Sequence, residues 1–267
     1  MLNDNIDFCC NNEDLERLRK FRLMDDDFMS KVFDKNIEAT QLLLNIILER
    51  DDIKVVSVDA QREYKTTIGH SVKFDIFAKD EAGKPYDIEI QRSDKGASPQ
   101  RARYNNSVLD TYLLEKGKDY SSLTETYVIF ITENDVLKKN LPLYHIERKV
   151  RETDELFGDG SHIIFVNGQY TNHDTEIGKL MHDFRCTNAD DMNYPTLANK
   201  VRYFKETKGG SNAMCKMMED MRKDAAKEKA IETALKMIKD NIALEKVAEY
   251  SGLSLDEVKT IKSENNL

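Results

Sequence analysis

The 267-residue sequence is defined first by what it lacks. No apolar run approaches the ~20 residues that span a bilayer, so no membrane helix is expected. The opening "MLNDNIDFCCNNEDLERLRK" has no cationic start leading into an apolar stretch, so it does not read as a secretory signal, and a cytoplasmic address is expected. The four cysteines, Cys9, Cys10, Cys186 and Cys215, show no paired CxxC spacing, which argues against a zinc site and for reduced thiols. The five histidines have no HxxxH spacing and read as structural or surface residues. There is no glycine-rich phosphate loop, no nucleophile elbow, no internal repeat and no low-complexity tract. Nor is there an excess of basic charge: the net charge of −9 speaks against coating nucleic acid by bulk electrostatics, while leaving room for a local basic groove.

What is present is the composition of a soluble globular protein, 40% hydrophobic and 33% charged, long enough for one large domain or two smaller ones. "DDDFMSKVFDKNIEATQLLLNIILER" (25–50) predicts helix after an acidic lead-in, preceded by a loose arm or a short helix. A strand is expected at "IKVVSV", then a linker "DAQREYKTTIGH", then the alternating runs "SVKFDIFAKD" and "KPYDIEIQR" joined by "EAG", which form a β-hairpin. "SPQRARYNNSVLDTYLLEKG" predicts an amphipathic helix closed by Gly117, and "ETYVIFIT" a strand buried on both faces. A second hairpin is expected from "YHIERKV" and "HIIFVNG", and helices from "TEIGKLMHDF" and "LANKVRYFKE". This order of elements implies an α/β fold with a mixed β-sheet flanked by helices.

The first hairpin carries the chemistry. Alternation puts Val72, Phe74 and Ile76 on one face with Tyr86, Ile88 and Ile90, and Lys73, Asp75 and Phe77 on the other with Asp87, Glu89 and Gln91. With Ala82 at the centre of the turn, paired residue numbers sum to 164, so Asp75 faces Glu89, with Cβ atoms ~4.5–5.5 Å apart. Opposed carboxylates at that separation repel unless a cation lies between them. A divalent ion such as Mg²⁺, which takes carboxylate oxygens and completes its shell with water and phosphate, would justify them. The same spacing also fits a solvated sheet face laced with charge pairs, in which Asp87 is an edge charge.

"FDIFAKDEAGKPYDIEIQR", "RARYNNSVLDTYLLEKGKDY", "TYVIFITENDV" and "LPLYHIER", in this order, resemble the PD-(D/E)XK nuclease superfamily and within it the nuclease-family transposases related to recombination-promoting nucleases. The resemblance implies a restriction-endonuclease-like central sheet and a metal-dependent DNA endonuclease linked to recombination, transposition or mobile elements, using Mg²⁺ or Mn²⁺. It implies that Asp75 and Glu89 ligate the metal with the backbone carbonyl of Ile90 nearby, and that an acid from the first helix joins them, for which Glu38 is the candidate and Glu49 the alternative. Gln91 departs from the pattern, standing where the superfamily has lysine. A neutral amide orients by hydrogen bonds but brings no positive charge to the transition state. Lys73 is the candidate to supply that charge. Gln100, Arg101, Arg103 and Tyr104, on the helix after the motif, are the candidates to meet DNA. The other reading is a catalytically inactive DNA- or protein-binding descendant of the nuclease fold.

Three segments follow: an arm over 1–24, the nuclease-like domain over 25–208, and a helical extension over 209–267, with Gly209 and Gly210 breaking two helices at the boundary. The extension begins with a long charged helix bearing methionines at 214, 217, 218 and 221, able to pack on the domain or to pair two chains. In its closing "VAEYSGLSLDEV", Ser254 and Glu257 form a capping box. The helix-turn-helix rhythm is present, but acid at the start of the second helix would face phosphates, which favours an interaction module over a base reader.

Overall fold

A computed structural model describes residues 11–64 and 70–265. Among these, six strands form one mixed sheet: β1 (Val55–Tyr64), β2 (Val72–Asp80), β3 (Pro85–Gln91), β4 (Thr126–Thr132), β5 (Leu143–Ile146) and β6 (Ser161–Asn167). The spatial order is β1-β2-β3-β4-β6-β5, with β1, β2 and β3 an antiparallel meander, β3, β4 and β6 parallel, and β5 antiparallel at the edge. The parallel centre needs covered faces, and β4, buried along its whole length, is the apolar run that the sequence marked. The expected second hairpin is β5 with β6.

The expected helix over 25–50 is two: α2 (Asp26–Phe33) and α3 (Ile37–Leu48), following α1 (Asn12–Lys20). The break is local chemistry. Lys35 adopts φ +54, and Asn36 caps α3 by accepting from the N–H of Ala39. Next come α4 (Pro99–Leu113), α5 (Glu176–Arg185) and α6 (Pro195–Glu206). The first six residues of the expected linker, Asp59–Tyr64, belong to β1, and the part of it over 65–69 lies outside the described residues.

The chain divides into two compact units, one spanning Glu16–Ser211 and the other joining the chain from Asn212 onward to the residues before Glu16. Gly209 and Gly210 do not break a helix. They lie in the first turn of α7 (Lys208–Lys239), because a Cβ on Gly210 would stand 2.1 Å from the carbonyl oxygen of Tyr203. Glycine here permits the close turn between α6 and α7. In the second unit, Arg222 meets Asp14 in a bidentate pair at 2.6 and 2.8 Å. The end of α7 packs with α8 (Leu244–Ser251) and α9 (Leu255–Glu264) around Ala234, Ile238, Val247, Val258 and Ile261. Ser254 and Glu257 form the expected capping box, and Gly252 makes the intervening turn at φ +73. Met214 and Met218 are buried, whereas Met221 is exposed. Cys186 is a free thiol and Cys215 is disulfide-bonded, so the expectation of reduced thiols holds for the first and not the second; Cys9 and Cys10 lie outside the described residues.

Candidate active site

The hairpin register is the expected one: Ile76 pairs with Ile88, Phe77 with Asp87, Ala78 with Tyr86, and Lys79 with Pro85, each pair summing to 164. Asp80 fixes the turn, its carboxylate accepting from the N–H of Lys84 at 2.9 Å and from the hydroxyl of Tyr86 at 2.9 Å. Regular pairing ends at Ile76 and Ile88. At the next positions side chains take over from the backbone: the Asp75 N–H donates to Glu89 Oε1 at 3.3 Å, and the Ile90 N–H donates to Asp75 Oδ2 at 2.9 Å. On the other side, Gln61 of β1 has φ +56 and drops out of the ladder between Ala60↔Ile76 and Arg62↔Phe74. Asp75 therefore sits where the pairing of β2 is interrupted toward both neighbours.

That interruption changes the phase of the strand. Val72 and Phe74 join the same apolar cluster as Phe77, and the Phe74 and Phe77 rings stack with centroids 6.1 Å apart, whereas strict alternation assigned them to opposite faces. The kink around Asp75 is the physical reason, because a local irregularity in a strand re-aims the side chains beyond it.

Helix α4 covers the acidic face. Ser98 caps it by accepting from the Arg101 N–H, and Pro99 opens its first turn. Arg101 Nη2 meets Glu89 Oε2 at 2.5 Å, and Asn105 Nδ2 donates to Asp87 Oδ2 at 3.0 Å. Four helical residues rise about 6 Å and two strand residues about 6.6 Å, so Arg101 and Asn105 match Glu89 and Asp87 in register. The next residue, Asn106, bonds Thr126 and Ser161. The face is not solvated: Asp87 and Glu89 are fully buried and Asp75 is 8% exposed. Asp87 lies inside a central strand under a helix, which corrects its reading as an edge charge.

Burial sets the electrostatics. It pushes the Asp75 carboxyl up to about 8, with the Glu89 charge adding to the effect. Asp87 is raised well above the carboxylate range, chiefly by burial and then by Glu89. Glu89 is raised by burial, against which the Arg101 guanidinium pulls it down. Three buried acids thus share one contacting cation among the described residues, Arg101, and without a further cation their mutual repulsion is relieved by keeping protons.

A recess opens beside Asp75, lined by Met24, Asp26, Gln61, Lys73, Asp75, Ile90, Gln91, Arg92 and Arg101. Asp75, Ile90, Gln91, Lys73 and Arg101, all marked by the sequence, meet here. Glu38 is exposed on the first turn of α3 and does not line the recess; the helix acid that does is Asp26, at the start of α2. Asp26 Oδ1 accepts from Gln61 Nε2 at 2.7 Å. A ring of charge at the rim, Arg22–Glu133 at 2.8 Å, Arg92–Asp25 at 2.7 Å and Arg92–Glu133 at 3.2 Å, ties the start of α2 to the ends of β3 and β4. The signal in the sequence was the acidic lead-in "DDDF" itself. Lys73 is exposed. On α4, Gln100 and Arg103 are exposed, and Tyr104 donates its hydroxyl to the His70 carbonyl at 2.7 Å.

The donor set suits a hard divalent cation: buried carboxylate oxygens on opposed strands, with neither thiol nor imidazole among the residues lining the recess, whose one sulfur is the Met24 thioether. Asp75, Glu89 and the Ile90 carbonyl are the groups that would hold it, and Asp26 extends the acidic rim. Elsewhere among the described residues, one group combines ligand types, His182, Asp183 and Cys186, a His-x-x-x-Cys spacing at the end of α5. Its carboxylate is already engaged. Asp183 accepts from Asn193 N, Asn193 Nδ2 and Tyr194 N at 2.7–2.9 Å, clasping α5 to the start of α6.

No helix among the described residues is long and apolar enough to cross a membrane. No curated protein and no solved structure matches the chain. The family model described as PD-(D/E)XK nuclease family transposase matches residues 26–248, taking in the sheet, its covering helices, all of α7 and the first part of α8. The mixed six-stranded sheet flanked by helices, with its helical C-terminal part, agrees with that fold, and the chain belongs to the PD-(D/E)XK nuclease family transposases.

Proposed function

We propose that this chain is a metal-dependent DNA endonuclease that hydrolyses phosphodiester bonds without a covalent enzyme intermediate. The observation that carries the reading is the pair Asp75 and Glu89, buried and opposed across the break in the β2–β3 ladder, with Asp75 lining a recess and Glu89 enclosed behind it. Burying two neighbouring acids is costly and serves packing poorly; holding a cation offsets the cost. Asp75, Glu89 and the Ile90 carbonyl would hold Mg²⁺ or Mn²⁺, which when bound lowers the pKa of a water and neutralises phosphate charge. The chain's own residues orient the acids: Ile90 N–H fixes Asp75, Arg101 fixes Glu89, and the Asp87–Asn105 pair stands behind Glu89. Gln100, Arg103 and Tyr104 on the outer part of α4, with Lys73 at the rim, are suited to the DNA backbone.

Gln91 favours a second reading, a DNA- or protein-binding member of the nuclease fold that does not cleave, since the motif lysine is missing. Incubating supercoiled plasmid with the full chain and Mg²⁺ or Mn²⁺ separates the two. Nicking by wild type that is lost in Asp75→Ala and Glu89→Ala is the expected result. Cleavage surviving both substitutions would remove the site assignment, and a folded wild type silent with either metal would favour the second reading. A role linked to recombination or transposition, and pairing of two chains through the nuclease domain or the C-terminal helices, accord with the family and with the long α7.

A further inference from the structure

The motif leaves a vacancy of charge at Gln91, and the structure assigns its replacement: we propose that Arg101 supplies the positive charge to the attacked phosphate, in the place of the motif lysine. The inference rests on the nuclease reading above and changes what Arg101 is for, from a DNA anchor to a catalytic residue.

The guanidinium is built into the site. Nη2 meets Glu89 at 2.5 Å, while Nη1 donates to Gln91 Oε1 at 3.2 Å and to the Gly96 carbonyl at 3.1 Å. The Gln91 amide is thereby turned: its oxygen receives Arg101 and its nitrogen stands 3.5 Å from Glu89 Oε2. Gly96 admits this geometry because a Cβ there would lie 2.0 Å from Gln91 Oε1. The group lies 5.9 Å from the Phe130 ring centroid, and its residue is the third of α4, set by the Ser98 cap.

Guanidinium offers five N–H donors and keeps its charge at any working pH. Three are used by Glu89, Gln91 and Gly96, which leaves the Nε–H and one Nη2–H without a protein acceptor among the described residues. The side chain is 37% exposed and lines the recess beside Asp75. It is therefore anchored on one edge and open on the other, as an electrostatic stabiliser of a phosphoryl group must be. Lys73 lines the same recess but is exposed and makes no hydrogen bond to Asp75, Glu89 or Gln91. An anchored cation incurs little reorganisation in the transition state; a free one must be ordered first.

The test separates catalysis from binding in the full chain. Single-turnover cleavage of a DNA duplex is measured in Mg²⁺, and affinity for the same duplex is measured by fluorescence anisotropy in Ca²⁺. Removal of one such donor lowers the chemical step by about 10²–10³-fold. Arg101→Met should therefore cut the cleavage rate about 100-fold or more and change Ca²⁺-supported affinity less than about 3-fold. Arg101→Lys should recover about 10-fold of the loss, and Lys73→Met, which removes a charge at the DNA-facing rim, should lower the single-turnover rate far less than Arg101→Met. Mn²⁺ affinity by calorimetry guards against a displaced Glu89 and should differ less than about 3-fold between wild type and Arg101→Met. The proposal is overturned if Arg101→Met cleaves like wild type, if its DNA or Mn²⁺ affinity falls in step with its rate, or if Lys73→Met falls as far. A wild type that does not cleave overturns the nuclease reading and this inference together; the other failures leave that reading standing.

Discussion

Replacing Asp75 by asparagine should stabilise the metal-free protein, by an amount that grows with pH. Burial and the neighbouring Glu89 push Asp75 from 3.8 up to about 8. Between those values the folded protein keeps a proton that the unfolded chain releases, so wild-type stability declines as pH rises; below 3.8 both states are protonated and no penalty remains. One proton of difference corresponds to about 1.4 kcal/mol per pH unit at most, and less where Glu89 shares the proton. Asparagine has nothing to release, and its oxygen can still accept from the Ile90 N–H. Urea unfolding in EDTA, followed by circular dichroism from pH 4.5 to 8, should give profiles that diverge by roughly 1 kcal/mol per unit toward alkaline pH. Mg²⁺ should narrow the gap by stabilising wild type more than the variant. Parallel profiles, or a wild type more stable than the variant at pH 8 without metal, would refute the reasoning.

Three further expectations use unfolding as their readout. Asn105→Ala leaves the buried Asp87 carboxyl without its donor, while its other oxygen already lacks a partner, and should cost about 1–3 kcal/mol in urea. Gly210→Ala puts a methyl against the Tyr203 carbonyl at 2.1 Å, so the melting temperature should fall by several degrees, while Gly209→Ala, whose nearest contact is 3.4 Å, should be milder. Lys205 donates to the carbonyls of Arg19, Phe21 and Thr187, and burial lowers its ammonium from 10.5 to about 8. The folded state sheds this proton before the unfolded chain does, so the cost of burial is full below pH 8 and fades toward 10.5. Wild-type stability relative to Lys205→Met should therefore rise across that window, and a flat difference would contradict it.

The hairpin was legible because its signals are local. Alternation sets the faces, and the short turn with Gly83 at φ +79 sets the register, so Asp75 and Glu89 could be paired by addition. What escaped depends on the third dimension. Gln61 at φ +56 carries no mark in its residue type, yet it interrupts β1 beside Asp75, where the face of Val72 and Phe74 changes. Asp87 reads as polar and outward, and it is buried because Asn105 arrives from a helix 18 residues on. Asp26 reaches the recess through the charge ring of Arg22, Asp25, Arg92 and Glu133, which no spacing rule contains. Gly209 and Gly210, ordinarily punctuation, are helical because a close approach excludes a side chain. Arg101 was visible as a basic residue on the right helix; its grip on Glu89 and Gln91 was not.

The central claim is that the buried pair Asp75 and Glu89 is a cation site. Calorimetric titration of the full chain with Mn²⁺, for wild type and for Asp75→Asn and Glu89→Gln, tests it without any assumption about the DNA. Binding by wild type that is weakened at least about 10-fold in each folded variant is the predicted result, since each loses one of two carboxylate ligands. Equal affinity in wild type and both variants would contradict the account.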